Sequence, residues 1–120
     1  MVLVDTSLWI LHFRSGQPDL AERLDRGEVI THPFIIGELA CGNLKNRTEI
    51  LSLLEALPAA TTALPDEVLR FIDTYKLMGL GLGFIDIHLL VSAFLTPVPL
   101  WTNDARLKGS AARLGVGFER

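Results

Sequence analysis

The sequence predicts an α/β domain with a short, mainly parallel sheet covered by helices on both faces. Three observations predict it. Short apolar runs such as Val2-Leu3-Val4 and Leu100-Trp101-Thr102 alternate with longer stretches of helical periodicity. The first run is continuous in apolar side chains, as a fully buried strand requires. The chain has 120 residues, nearly half of them apolar, which suits one domain, 1–120, with its own core. No repeat, linker or low-complexity run interrupts it.

The elements follow in order. Val2-Leu3-Val4 is a strand that ends in Asp5, and Thr6 or Ser7 is expected to cap the helix over 6–14. Ser15-Gly16-Gln17-Pro18 breaks that helix, and Pro18 opens a second that Gly27 ends. Residues 28–31 form a strand. Pro33 starts a helix running to about Gly42-Asn43, and residues 46–57 form another that Pro58 closes. Residues 59–64 are a weaker, third strand. Pro65-Asp66-Glu67 opens a helix with acids in its first turn, sustained through Leu77. Gly79, Gly81 and Gly83 make a loop before an apolar helix from Phe84 to Leu95. A strand over 98–102, a last helix opened by Asn103-Asp104-Ala105-Arg106, and a short strand over 116–118 complete the chain.

Composition excludes several classes of protein. No apolar run reaches the ~18 residues of a membrane span. The N-terminus lacks the basic leader of a secretory signal. One cysteine, Cys41, allows neither an internal disulfide nor a zinc site and is expected to be a buried helix residue. A reducing, cytoplasmic compartment fits. Net charge is −3, which excludes a basic binding face spread over the whole domain. If four acids held a metal, 11 basic residues would stand against 10 acidic ones, so a nucleic-acid substrate stays open.

Most acids lie on polar helix faces or in first turns; four do not. Asp5 and Asp104 each follow an apolar strand. Glu38 is the only charge between Pro33 and Gly42, and Asp86 the only one between Lys76 and Asp104. Each has a plain structural role open to it: Asp5, Asp104 and Asp86 as helix caps, Glu38 as a surface acid or the partner of a distant arginine. Together they suggest more, because ligands in open α/β sheets sit at the carboxyl ends of strands. An unpaired carboxylate in an apolar setting costs several kcal/mol, and a divalent cation is an economical partner. Oxygen donors without His or Cys select magnesium or manganese, a set suited to phosphodiester hydrolysis. His12, His32 and His88 have unrelated spacings and are expected to be structural. The glycine loop lacks the Gly-Lys-Ser/Thr of a phosphate-binding loop.

Four segments carry a resemblance to a known family. They are Val4-Asp5-Thr6-Ser7-Leu8-Trp9-Ile10, Pro33-Phe34-Ile35-Ile36-Gly37-Glu38-Leu39, Gly83-Phe84-Ile85-Asp86-Ile87-His88-Leu89-Leu90, and Leu100-Trp101-Thr102-Asn103-Asp104-Ala105-Arg106-Leu107. In this order, over the full length, the chain resembles PIN-domain proteins, in particular the VapC toxins of type II toxin–antitoxin systems. The resemblance implies a three-layer α/β/α sandwich and a magnesium- or manganese-dependent endoribonuclease. It implies Asp5 and Asp86 as metal ligands, Glu38 and Asp104 completing the acidic cluster, and Thr6 and Thr102 as hydroxyls behind it. It also implies a homodimer, a VapB-type antitoxin and a transfer- or ribosomal-RNA substrate. Arg14, Arg106 and Lys108 are the basic residues nearest these motifs in sequence.

Other readings fit less well. A haloacid-dehalogenase-type phosphatase resembles Asp-x-Asp at this place, and residue 7 is Ser. A receiver-like signalling domain would need an acid after the third strand, where the chain reads Ala63-Leu64-Pro65. A PIN domain serving RNA processing, or acting only as an RNA- or protein-binding module, is set apart from the toxin only by the four acids.

Overall fold

The computed structural model describes residues 1–119. Three parallel strands form the sheet: β1 (Val2–Val4), β2 (Val29–Ile30) and β3 (Leu100–Trp101), in the order β2-β1-β3. Val2 pairs with Val29 and Leu3 with Ile30 on one side; Leu3 pairs with Leu100 and Val4 with Trp101 on the other. All three residues of β1 are buried. Successive strand side chains point to opposite faces, so a wholly buried strand must be covered on both. The result is the expected α/β/α sandwich.

Seven helices among the described residues supply the cover: α1 (Thr6–Ser15), α2 (Pro18–Asp25), α3 (Pro33–Cys41), α4 (Arg47–Glu55), α5 (Pro65–Tyr75), α6 (Phe84–Leu95) and α7 (Ala105–Arg113). Three begin with proline, whose fixed φ and missing N–H suit the first turn. The apolar sequence of α6 explains its position. Ile87 to Ala93 are buried without interruption, so this helix runs through the core.

Both weaker strands shrink to single bridges. Residues 59–64 contribute one parallel bridge, Thr31 to Ala59, and 116–118 contribute Leu100 to Gly117. Their backbone hydrogen bonds are sound, for example Ala60 N to Thr31 O at 2.8 Å and Phe118 N to Leu100 O at 3.1 Å. Each segment meets a strand that is only two residues long, so the ladder stops at once.

Helix α5 also ends earlier than its periodicity suggests. Lys76 adopts a left-handed conformation (φ 57°), and Leu77 N returns to Ile72 O at 3.1 Å. Leu77 is buried after the turn rather than on the helix, which is how its apolar side chain extended the apparent repeat. Cys41 is a second correction. It is the last residue of α3 and is exposed, because the buried stripe of that helix runs through Ile35 and Leu39.

Candidate active site

Asp5 leaves the central strand directly into α1. Its backbone still belongs to the sheet, donating to Trp101 O at 2.9 Å, while its side chain is almost fully buried. The carboxylate is held from several directions. Oδ1 accepts from the Thr6 backbone N–H at 2.8 Å. Oδ2 accepts from the Thr102 hydroxyl at 2.7 Å and the Ser7 hydroxyl at 3.2 Å. Asp5 is therefore itself the N-cap of α1, and the expectation that Thr6 or Ser7 would take that position is corrected. The two hydroxyls instead orient the acid.

Those hydroxyls tie the other motifs to Asp5. Thr6 Oγ1 donates to Glu38 Oε1 at 2.8 Å, linking α1 to α3. Thr102 Oγ1, while donating to Asp5, accepts from Asp104 N at 3.0 Å. Asp104 caps α7 through Oδ1, which accepts from Leu107 N at 2.9 Å. Asp86 lies in the first turn of α6 and accepts from Gly83 N at 3.0 Å. Burial raises its pKa above 3.8; the Gly83 hydrogen bond opposes this, and the nearby charges of Asp5 and Asp104 raise it further. Asp5, Asp86 and Asp104 thus share one electrostatic neighbourhood, and Glu38 joins it through Thr6.

The environments of the four acids are not alike. Asp5 is buried and Asp86 half-buried, whereas Glu38 and Asp104 are exposed. Desolvation therefore weighs on Asp86, and Glu38 faces water although Ile35 and Leu39 on the same helix are buried. Among the described residues, no three His, Cys, Asp or Glu side chains are arranged to hold a metal ion. Asp86 Oδ1, Asp104 Oδ2 and Glu38 Oε2 have no hydrogen-bond donor among those residues.

Thr6 and Thr102 each bridge two of the four segments through a side-chain hydrogen bond. Ser7 has a role beyond the capping considered for it, since its hydroxyl also accepts from Asn103 N at 3.4 Å. The signal was present as two adjacent hydroxyls after a strand-end acid, but their side-chain directions are not written in sequence. Among the described residues, none of the three histidines hydrogen-bonds to one of the four acids. His32 is fully buried, with Nδ1 accepting from Phe34 N at 3.0 Å and Nε2 3.0 Å from Ser92 Oγ. His88 is buried between Phe34 and Phe84. His12 Nδ1 accepts from Gln17 N at 3.1 Å.

The three basic residues have different surroundings. Arg106 lies over Gly81, whose φ of 77° and lack of a side chain both matter, since a Cβ there would meet Arg106 Nη1 at 2.6 Å. Lys108 lines a cavity of about 320 Å³ that includes Thr102 and Asn103. Arg14 lines a larger cleft, about 710 Å³, between α1, α3 and the start of α4, with Glu38 in its wall.

Comparison with known proteins adds an independent finding. The PIN domain family model matches residues 2–112. The chain is 44% identical over 119 residues to Ribonuclease VapC32 of Mycobacterium tuberculosis, in strains CDC 1551 / Oshkosh and ATCC 25618 / H37Rv, covering 98% of this chain and 96% of the relative. The solved structure of PAE2754 from Pyrobaculum aerophilum is similar in fold, with a TM-score of 0.60, 18% identity, and coverage of 95% of this chain and 88% of that one.

Proposed function

This chain belongs to the PIN-domain family, and from that premise we propose that it is the toxin of a type II toxin–antitoxin pair. It is an endoribonuclease, and Asp5, Glu38, Asp86 and Asp104 carry the hydrolysis of RNA phosphodiester bonds. The observation that carries the site assignment is the chain of contacts from Glu38 through Thr6, Asp5 and Thr102 to Asp104, with Asp86 sensing the charges of Asp5 and Asp104.

The donor set fits a hard cation by its chemistry, although no three of the acids converge on one point among the described residues. All four groups are carboxylates, three of them with an oxygen free of protein donors; burial and then the charges of Asp5 and Asp104 raise Asp86, and a cation would offset both. Asp5, Asp86, Asp104 and Glu38 would hold magnesium or manganese. When bound, such an ion stabilises charge on the phosphate and lowers the pKa of a bound water. The protein does the positioning. Thr102, Ser7 and the Thr6 N–H fix the orientation of Asp5. Glu38, tied to Thr6 through Oε1, keeps Oε2 available to orient an attacking water.

Two partners complete the reading. One is a VapB-type antitoxin, and the other is a second copy of the chain. The support for the second copy is the face made by α5 and α6, where Leu69, Phe94 and Leu95 are exposed around an aromatic cluster of Phe71, Tyr75 and Phe94. No helix among the described residues is long and apolar enough to cross a membrane, and a cytoplasmic site of action is part of this proposal.

The test is RNA cleavage with magnesium, with manganese and with chelator, run beside Asp5→Asn. Chelation should abolish cleavage, and Asp5→Asn should lower it by about 10²-fold or more. Cleavage that survives both treatments would sink the carboxylate-and-metal mechanism.

A further inference from the structure

We propose that the cleft between α1, α3 and the turn into α4 is an RNA subsite that seats the nucleotides beside the bond being cut. The inference rests on the nuclease reading above and deepens it by saying where the strand lies. Position is the first argument. Glu38 stands in the cleft wall and is linked through Thr6 to Asp5, so a strand filling the cleft leads to the acids.

Wall chemistry is the second argument. Two cations, Arg14 and Lys45, face a single acid, Glu38, in a protein whose net charge is −3. Neither cation is in an ion pair among the described residues. Asn43 and Asn46 add amides that can donate to and accept from base edges, and the partly exposed Phe13 adds an aromatic surface. Cations for phosphates, amides for base edges and an apolar face for a base are what single-stranded RNA requires. The rest of the lining includes apolar Ile10, Leu39, Leu44 and Ile50, and a protein segment carrying carboxylates would compete for the same two cations.

The turn is also built to present these groups. Arg47 spends its guanidinium on Ala40 O at 2.9 Å, which ties the start of α4 to the end of α3. Asn46 sits in the left-handed region at φ 52°. Lys45 and Asn46 are thereby held on an anchored turn. The volume of about 710 Å³ lies within the ~300–1,000 Å³ typical of sites that bury a ligand of nucleotide size.

The experiment is fluorescence anisotropy of a short, fluorescein-labelled single-stranded RNA of mixed sequence, titrated in chelator at several salt concentrations. Wild type is compared with the double variant Arg14→Ala/Lys45→Ala and with Arg26→Ala, which removes an exposed cation from the end of α2. Both groove cations are exposed, so the variants should fold, and circular dichroism verifies it. The double variant should bind at least about fivefold more weakly, and its log–log salt slope should fall by about 1.4, since each phosphate contact on a single strand contributes about 0.7. Arg26→Ala should bind as wild type. Equal affinity and slope in wild type and double variant overturn the proposal and point to a protein occupant. An equal loss in Arg26→Ala, or no RNA binding by wild type, overturns it too. Cleavage of the same RNA with magnesium reports separately on the acids: a chain that binds as expected but never cuts sinks the nuclease reading and leaves the cleft standing.

Discussion

Thr102 serves two acids with one oxygen. It donates to buried Asp5 and accepts from the Asp104 backbone, while being nearly buried itself. Thr102→Val keeps the shape and removes both bonds. We expect a stability loss of about 1–3 kcal/mol in urea unfolding, because a buried carboxylate and a backbone N–H lose partners. We also expect cleavage to fall by about 10- to 100-fold, the scale of losing a group that orients a ligand. A variant with full activity would show that Asp5 needs no such support. At this scale the four acids were legible as candidates, Glu38 and Asp86 because each is the one charge in its stretch, and Asp5 and Asp104 because each follows an apolar strand. It did not reveal their surroundings. Glu38 and Asp104 look out to water, and only helix facing, set by packing, decides that. The capping assignment failed for a related reason: a strand-end carboxylate can cap the helix and serve the site at once.

Helix α3 depends on a histidine for its start. His32 accepts from Phe34 N and, with Nδ1 so occupied, carries its proton on Nε2 toward Ser92. Burial, and then the neighbouring charge of His88, lower its pKa from 6.5 to about 4. The unfolded chain therefore binds a proton that the folded one refuses. The stability is fully present above pH 6.5 and is lost as pH falls through about 4, by on the order of 3 kcal/mol at the acid end. Urea midpoints measured over this range should fall with pH in wild type and fall less in His32→Gln; identical profiles would refute the assignment. Because α3 carries Glu38, this cap also supports the site. Helix positions were legible from proline starts and apolar stripes, so all seven appear near their expected places. Strand lengths were not. A segment such as 59–64 has strand-like composition, but a ladder needs a partner that continues, and β2 offers only a bridge at Thr31.

For the whole molecule, the sheet order β2-β1-β3 puts Asp5 at the end of the middle strand and Thr102 just past its neighbour. That order collects motifs far apart in sequence, and it could be anticipated only from the general rule for parallel sheets. The outer face of α5 and α6 was not anticipated, because exposed Leu69, Phe94 and Leu95 read in sequence like any buried stripe. If a second copy covers this face, light scattering should give twice the mass of one chain, and Leu95→Glu should give a monomer that still folds. A wild-type monomer at micromolar concentration would rule the face out. The exposed thiol of Cys41 bears on how such masses are read. With one accessible cysteine per chain, air oxidation can link exactly two molecules and no more. The product would imitate a dimer while touching neither α5 nor α6. Reductant separates the two cases: a covalent pair falls apart, and an apolar one persists.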